Sequence, residues 1–349
     1  MLKSLSNNTI SFRGINYENK NAANEIKART ALFGITDIHG NFSAMSRLVT
    51  ASDKFTQRYN STSTDTFKVS SGDIGISISE DKQKYSLDFL RRIGIDIAAL
   101  GNHEFDLGSK KLAKLIAESP IKFVSANFDA DDENPLKALM AKYIKPGETD
   151  PTRKIFNSYI ITKPDGNRYG FIGAVPTNMD KVVAGFTKLG INVFDADKTK
   201  KAIAEEIRNL KTQGVNKIIF VSHLGDELDE KIAEDEGTTG IDVILSGHSH
   251  RKIEKVVMSH ANEPVVIMQS GENGANYSEL EVDFDDNGVI QKAVGEVKNT
   301  EAHEENTEFE QETSKKYGSK EPLGQIIDDI ENTKAANAMA EIMMGIICP

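Results

Sequence analysis

The sequence predicts an α/β fold, because short apolar runs alternate with amphipathic stretches along most of the chain. The apolar runs are rich in β-branched residues and bounded by turn residues, which is typical of buried strands. They occupy 31–36, 67–71, 95–100, 121–127, 169–175, 217–222, 241–246 and 264–270. In the amphipathic stretches apolar residues recur every three or four positions, which predicts helices over 42–59, 82–93, 109–118, 198–212 and 228–236. With 349 residues, 38% of them hydrophobic, the chain can bury a large core.

The pattern changes at both ends of the predicted domain. Two alternating runs flank Asp286, Asn287 and Gly288, which predicts an antiparallel hairpin with a type I′ turn. Residues 1–30 are polar and rich in Asn and Lys, so we expect a flexible arm before a domain that spans 31–298. Residues 299–349 indicate a charged linker or solvated helix, followed after Pro322 by a helix that packs on the protein, binds a partner or is a truncated element.

The composition excludes some partners and covalent links. Lys and Arg number 42 against 53 Asp and Glu, a net charge of −11, so we do not expect a surface for a nucleic-acid duplex. Cys348 is the single cysteine, which excludes a disulfide within the chain. Because the N-terminal stretch lacks the apolar run of a secretory signal and no stretch reaches the length of a membrane span, we expect a cytoplasmic protein without membrane contact. The composition leaves the oligomeric state open.

Five of the seven histidines follow directly after predicted strands. They lie in the segments TDIHGN (36–41), LGNHEFD (100–106), VSHLGD (221–226) and LSGHSH (245–250), and SGDIG (71–75) adds a carboxylate at another strand end. A single His or Gly-Asp after a strand is usually structural. In open α/β sheets, however, ligands bind at the carboxyl ends of the strands, so five such segments together predict one polar site. His260 and His303 lie outside these segments and are expected at the surface.

The donors in these segments favour a particular kind of metal site. Imidazole and carboxylate groups suit Mn, Fe or Zn, whereas an all-oxygen set would suit Mg or Ca. The donors are more numerous than one ion needs, so we expect two divalent ions that share a carboxylate. Such a pair, roughly 3.5 to 4 Å apart, lowers the pKa of a bridging water and holds phosphate oxygens during in-line displacement. It would also supply the positive charge that an anionic substrate needs.

The ordered motifs DIHGN, GD, GNHE, a lone His after a strand and GHSH resemble those of the calcineurin-like metallophosphoesterases. GNHEFD (101–106), SANFD (125–129) and SHLGDELD (222–229) are similar to the 5′-nucleotidase branch, which includes UDP-sugar hydrolases and 2′,3′-cyclic nucleotide phosphodiesterases. The resemblance covers about 31–298. It implies a four-layer α/β/β/α sandwich of two mixed sheets flanked by helices. It also implies hydrolysis of nucleotide phosphomonoesters by a metal-bridging hydroxide, with cyclic or other phosphodiesters as the alternative.

The resemblance assigns roles to individual residues. It implies one metal held by Asp37, His39, Asp73 and His250, and a second held by Asp73, Asn102, His223 and His248. Asp73 would therefore bridge the two ions. The resemblance further implies that His103 is the catalytic histidine, that Asp106 orients it, and that Asn102 and His103 contact the substrate phosphate. Glu104 is expected to be structural, as is Asn41, although Asn41 could also touch a phosphate oxygen.

The sequence differs from typical 5′-nucleotidases in one respect, and it also lacks features expected of other proteins of the superfamily. Typical 5′-nucleotidases have a second domain that contacts the nucleoside, and the residues after 298 are too few for it, so the nucleoside contacts stay unknown. We therefore expect either a fragment or a single-domain phosphoesterase that uses its own loops, and in the second case the insertion at 126–168 is the candidate for a lid. A Ser/Thr phosphatase of the superfamily would have GDxxDRG where this chain has GDIGISI, and a non-catalytic scaffold would have lost inferred site positions. The GDIGISI segment therefore disfavours the phosphatase, and the retention of all the inferred positions makes the scaffold the least favoured alternative.

Overall fold

The computed structural model describes residues 14–19, 25–75, 80–142 and 150–317. Their α-helices are α1 (Phe42–Tyr59), α2 (Glu80–Ile93), α3 (Ser109–Glu118), α4 (Met179–Val182), α5 (Ala196–Thr212), α6 (Asp226–Glu234) and α7 (Thr307–Tyr317). Their strands are β1 (Ile15–Glu18), β2 (Ala28–Ile35), β3 (Asp65–Ser70), β4 (Ile97–Ala99), β5 (Lys122–Val124), β6 (Phe128–Ala130), β7 (Met140–Ala141), β8 (Ile155–Phe156), β9 (Ser158–Thr162), β10 (Arg168–Ala174), β11 (Ile191–Val193), β12 (Lys217–Ser222), β13 (Val243–Leu245), β14 (Lys252–Met258), β15 (Pro264–Ser270), β16 (Asn276–Phe284) and β17 (Ile290–Asn299).

The strands form two large mixed sheets. One has nine strands in the order β1-β17-β16-β2-β3-β4-β5-β8-β7, and the other has six in the order β14-β15-β13-β12-β10-β9. Strands β2 to β5 are parallel at the centre of the first sheet, and β10, β12, β13 and β15 are parallel at the centre of the second. Antiparallel strands lie towards the edges. In each sheet the central strands therefore end at the same edge.

Three buried apolar cores separate four layers. The central core lies between the two sheets, where the ring of Phe67 on β3 contacts that of Phe171 on β10. A second core, which includes Phe33 and Phe55, joins the nine-stranded sheet to its helices, and a third, which includes Ile207, joins the six-stranded sheet to α5 and α6. The order helix, sheet, sheet, helix confirms the predicted four-layer sandwich. Both faces of the parallel strands are covered, as parallel strands require.

The five predicted helices are present, with ends within two residues of the predicted ones. Helix α1 shows how local sequence defines them. It begins after Asn41, whose Oδ1 accepts a hydrogen bond from the backbone N–H of Ala44 (3.1 Å). Its apolar residues, such as Met45 and Leu48, share one buried face at helical spacing. The structural role expected for Asn41 is thus confirmed as a helix cap.

The predicted start of the domain is wrong. Residues 15–18, within the predicted flexible arm, form β1 and pair with β17, and the first central strand begins at Ala28 rather than at Ala31. Ile15 and Tyr17 are buried while the residues next to them are exposed. Four residues are too few for this alternation to be recognised in a polar stretch.

Of the two alternatives predicted for the segment after residue 298, a charged linker or a solvated helix, the described part contains the helix. Helix α7 packs on the domain through Phe309, which is buried and stacks on Phe42 of α1 (ring centroids 5.6 Å apart). Tyr317, at the end of the helix, also packs against this core, so two aromatic side chains anchor a helix whose charged composition hides the contact. The helix predicted after Pro322 lies outside the described residues.

The hairpin of β16 and β17 is confirmed, but its predicted type I′ turn is wrong. A type I′ turn needs positive φ at both central residues, and of Asn287 and Gly288 only Gly288 has it (83°). Instead, the carboxylate of Asp285 accepts hydrogen bonds from the backbone N–H groups of Asn287 and Val289 (both 2.9 Å). This side chain shapes a longer loop.

The predicted lid is wrong for the described part of the 126–168 insertion. Strands β7 and β8 extend the nine-stranded sheet, β9 extends the other sheet, and β6 pairs with β11. Residues 143–149 of the insertion lie outside the described part. Among the helices that the structure describes, none combines the length and the apolar character needed to cross a membrane.

Candidate metal centre and active site

The predicted site residues follow five parallel strands, three in the nine-stranded sheet and two in the six-stranded sheet. In chain order they are Asp37 and His39 after β2, Asp73 after β3, Asn102, His103 and Asp106 after β4, His223 after β12, and His248 and His250 after β13. Because the central strands end at one edge of each sheet, these residues meet where the two edges face each other.

The backbone is strained at most of these positions. Among the described residues, seven that are not glycine have positive φ, and five of them are Asp37, His39, Asp73, His248 and His250, with φ from 51° to 75°. The left-handed region costs such residues roughly 1–3 kcal/mol each, and strain of this kind persists mainly at functional sites. The backbone alone therefore marks this end of the sandwich as a site.

A buried carboxylate clamps two of the site loops together. Glu104 accepts hydrogen bonds from the backbone N–H groups of Asp73 (3.0 Å), Ile74 (3.0 Å) and Gly101 (2.6 Å). The backbone N–H of His103 in turn donates to Asp73 Oδ1 (2.8 Å). Burial and the nearby charge of Asp73 raise the pKa of Glu104. The structural role expected for Glu104 is thus confirmed.

Three imidazoles surround two buried carboxylates. His223 Nε2 lies 3.0 Å from Asp73 Oδ2 and 3.7 Å from Asp37 Oδ1. His39 Nε2 lies 3.7 Å from Asp73 Oδ2 and 3.9 Å from Asp37 Oδ1, and His250 Nε2 lies 3.2 Å from Asp37 Oδ1. Asp37 and Asp73 are 0% and 1% exposed, so their charges need compensation from within the site.

The donor atoms fall into overlapping groups that fit metal ions. In each of three groups the ligand atoms lie within 4.8 Å of one another: Asp37, His39 and His250; His39, Asp73 and His103; and Asp73, His223 and His248. The first and third groups agree with the two ligand sets that the family resemblance implies. The second group shares His39 and Asp73 with them, which makes the site continuous.

Several donor atoms have no hydrogen-bond partner. Five buried side-chain polar atoms among the described residues lack one, and three of the five are His39 Nε2, His223 Nε2 and Asn102 Oδ1. Leaving such an atom unpaired costs roughly 1–3 kcal/mol. His223 Nδ1 lies 2.5 Å from the backbone C=O of Ser71, which makes Nδ1 the donor and leaves the lone pair on Nε2. These residues fit a divalent cation, because converging lone pairs on imidazole and amide groups are what such an ion binds.

The predicted catalytic pair is formed at the rim of the site. His103 Nδ1 lies 2.7 Å from Asp106 Oδ2, and the His103 side chain is 30% exposed. Burial lowers the pKa of His103, but the hydrogen bond to Asp106 and the charge of Asp73 outweigh it and raise the pKa to about 9. Its ring meets that of His39 edge-on, with the centroids 5.3 Å apart. His103 is therefore accessible from solvent and adjacent to the buried donors.

Protons and metal ions compete for the buried donors. Burial lowers the pKa of His223, but the charges of Asp73 and Asp37 outweigh it and raise the pKa to about 10. Burial and the charge of His223 lower the pKa of His248 to about 4. A metal ion must displace the proton from His223, so its affinity is expected to rise with pH.

The sequence analysis missed two residues at this site. Glu272 and Asn273 follow β15, and their side chains contact His250 and His39. They stand in a Gly-Glu-Asn-Gly segment directly after a predicted strand, which is the same signal that identified the histidines. This segment matches none of the motifs that carry the family resemblance, so the sequence did not assign it to the site.

The chain is similar to known proteins over more than half of its length. The family model described as calcineurin-like phosphoesterase matches residues 32–252. The trifunctional nucleotide phosphoesterase protein YfkN of Bacillus subtilis is 30% identical over 246 residues, which are 65% of this chain and 16% of that protein. A probable 5′-nucleotidase of Treponema pallidum is 30% identical over 223 residues, 59% of this chain and 34% of that protein. The chain thus spans about a third or less of the length of these two relatives.

A solved structure shares the fold. The 5′-nucleotidase precursor of Thermus thermophilus superposes with a TM-score of 0.69 at 24% sequence identity, covering 83% of this chain and 59% of that one. At this level of identity the likeness concerns the fold.

Proposed function

Because the chain belongs to the calcineurin-like phosphoesterase family, we propose that it hydrolyses phosphate esters of nucleotides with the help of two divalent metal ions. The observation that carries the proposal is the set of unpartnered imidazole and amide atoms around the buried carboxylates of Asp37 and Asp73. A nucleotide as the substrate is supported by two relatives, one named a nucleotide phosphoesterase and the other a probable 5′-nucleotidase.

The proposed ions are Mn, Zn or Fe, and each takes four protein ligands. One set is Asp37, His39, Asp73 and His250, and the other is Asp73, Asn102, His223 and His248. When bound, the ions would activate water and neutralise the charge of the phosphate. The protein contributes the strained strand ends and the Glu104 clamp, which hold the donors in place before the substrate arrives.

His103 is the proposed catalytic residue. Asp106 holds its Nδ1–H, so Nε2 is left to face a phosphate group at the exposed rim. In its charged form, which the carboxylate of Asp106 favours, the imidazole can hydrogen-bond a phosphate oxygen and give a proton to the leaving oxygen. Asn102, the neighbour of His103, is proposed to contact the phosphate as well.

The test is an assay of the full 349-residue chain with added Mn²⁺. AMP, 2′,3′-cyclic AMP and bis-p-nitrophenyl phosphate are compared for the wild type, His103→Ala and the surface control His260→Ala. We expect chelator-sensitive hydrolysis that falls by roughly 10²- to 10⁴-fold in His103→Ala, the range of general acid–base catalysis, and stays at the wild-type level in His260→Ala.

The substrates separate the two nucleotide activities. Hydrolysis of AMP supports a phosphomonoesterase, whereas hydrolysis of the diesters alone supports the phosphodiesterase alternative. Wild-type protein that binds Mn²⁺ and hydrolyses none of the three would contradict the proposal, as would full activity in His103→Ala.

A further inference from the structure

A loop outside the predicted motifs contacts two histidines of one proposed ligand set. The GENGA loop, residues 271–275, follows β15 at the same edge of the six-stranded sheet as the histidine segments. Glu272 Oε2 lies 2.9 Å from His250 Nδ1, and Asn273 Oδ1 lies 3.2 Å from His39 Nδ1. Both histidines belong to the same proposed ligand set, the one completed by Asp37 and Asp73.

These contacts select the tautomer of each ring. A carboxylate and an amide oxygen are acceptors, so each Nδ1 carries the hydrogen and each Nε2 keeps its lone pair. His39 Nε2 is one of the buried atoms without a partner, and His250 Nε2 points to Asp37 Oδ1 at 3.2 Å. In both rings, Nε2 is the nitrogen that faces the carboxylates of the site.

The loop is fastened to the segment that carries the ligands. The backbone N–H of Asn273 donates to the C=O of Asp37 (2.6 Å), and the side-chain amide of Asn41 donates to the C=O of Asn273 (3.0 Å). Asn273 has a φ of 54°, in the same strained region as five of the ligands. Gly274 lies so close to α1 that a Cβ atom there would be 2.7 Å from the Cβ of Ala44. The position of the loop is therefore set by the ligand segment itself.

The other ligand set is held in a different way. His223, which belongs to it, is oriented by the backbone C=O of Ser71 at 2.5 Å rather than by a side chain. A substitution in the GENGA loop therefore removes contacts to histidines of one ligand set, whereas the contact of His223 with the backbone C=O of Ser71 is kept.

We propose that Glu272 and Asn273 are positioning residues that orient His250 and His39, and thereby set the affinity of one of the two metal sites independently of the other. This inference rests on the proposed function. Partners that orient metal-binding histidines typically contribute about 10- to 100-fold to metal affinity. Glu272 is half exposed, so water can replace part of its contribution, and the partly buried contact of Asn273 with His39 adds to the effect.

The experiment is a Mn²⁺ titration of the chelator-treated full chain, with free Mn²⁺ measured by electron paramagnetic resonance. The variants are Glu272→Ala, Asn273→Gly and their combination. Glycine tolerates the φ of 54°, so Asn273→Gly removes the amide without adding backbone strain. Glu272→Gln is the matched control, because its amide oxygen can still accept the Nδ1 hydrogen of His250.

We expect two bound ions in the wild type. In the double variant, one ion should bind with wild-type affinity and the other about 10- to 100-fold more weakly. Glu272→Gln should restore most of the loss seen in Glu272→Ala. Hydrolysis by the double variant should recover at high Mn²⁺ concentration, whereas that of His103→Ala should not.

Two results would overturn the inference while leaving the proposed function intact: unchanged affinity at both sites, or an equal loss at both. Wild-type protein that binds fewer than two ions would instead overturn the proposed function, and this inference with it. Thermal unfolding of the chelated variants checks that the fold is retained.

Discussion

The two ends of the parallel strands bury polar groups in opposite ways. At the amino ends, Asp65 accepts hydrogen bonds from Tyr169 (2.7 Å) and Asn167 (3.1 Å), and Thr30 Oγ1 lies 2.8 Å from the Tyr169 hydroxyl. At the carboxyl ends, His39 and other donors remain without partners, and the backbone is strained. Polar groups that satisfy one another stabilise the fold, whereas groups left unpaired at a cost in free energy are arranged for a ligand.

The largest expected effect comes from replacing a buried carboxylate by an amide, at the carboxyl end in one variant and at the amino end in another. Asp73→Asn removes the proposed bridging charge, and we expect hydrolysis to fall by about 10³-fold or more, because metal stabilisation of the transition state amounts to several kcal/mol. Asp65→Asn, at the other end, should lower stability and leave kcat/KM unchanged. For both variants, kcat/KM is measured by steady-state kinetics and the free energy of unfolding by denaturation. An equal loss of activity in the two variants would contradict the view that only the carboxyl end serves catalysis.

Metal binding at the carboxyl end should stabilise the folded domain. At a free Mn²⁺ concentration 100 times the Kd, each bound ion adds about 2.7 kcal/mol to the free energy of unfolding. Denaturant unfolding with Mn²⁺ and with chelator should show this difference in the wild type and lose the contribution of one ion in Asp37→Asn. If the free energy of unfolding of the wild type were the same with Mn²⁺ and with chelator, the unpaired donors would not be a metal site.

A third polar cluster also lies at the carboxyl ends of the strands, but its buried groups are hydrogen-bonded to one another. Asp229 is fully buried and accepts hydrogen bonds from Ser222 and Ser246 (both 2.5 Å), each of which lies within two residues of a site histidine. Burial raises the pKa of Asp229 from 3.8 to about 7 despite these two hydrogen bonds. A buried polar group at the carboxyl ends of the strands can therefore have hydrogen-bond partners, so its location alone does not explain the unpaired donors.

The sign of the pH effect at Asp229 follows from proton linkage. Between pH 4 and 7 the folded protein keeps a proton that the unfolded chain has released, so the free energy of unfolding falls as the pH rises and levels off above pH 7. Asp229→Asn cannot titrate and should flatten this part of the profile, measured by urea unfolding in chelator. An unchanged slope in the variant would assign the effect to other groups.

The smallest effect is expected at the amino end. Tyr169→Phe removes the hydroxyl that donates to the buried carboxylate of Asp65 and contacts Thr30, and we expect a loss of about 1 to 2 kcal/mol in the free energy of unfolding without loss of activity. Tyr159→Phe is the control, because that hydroxyl has no hydrogen-bond partner in the part of the chain that the structure describes. A drop in activity with Tyr169→Phe would show that the two ends are coupled.

Most of the site could be predicted from the sequence, and the predicted family is confirmed by the match over residues 32–252. Asp37, Asp73 and His223 were recognisable because each stands directly after an apolar run, and parallel strands of one sheet bring such positions together. Glu272 and Asn273 were not, since a carboxylate and an amide after a strand become meaningful only beside His250 and His39.

The sequence by itself determined the helices, the central strands and the strand ends that carry donors, because helical and strand periodicities and turn residues act over a few neighbouring positions. Only the tertiary structure decided the edge strand β1, the docking of α7 through Phe309 and the contacts of the GENGA loop. Each of these depends on a partner far away in the chain, and the free energy of such a contact leaves no periodic signal in the segment that makes it.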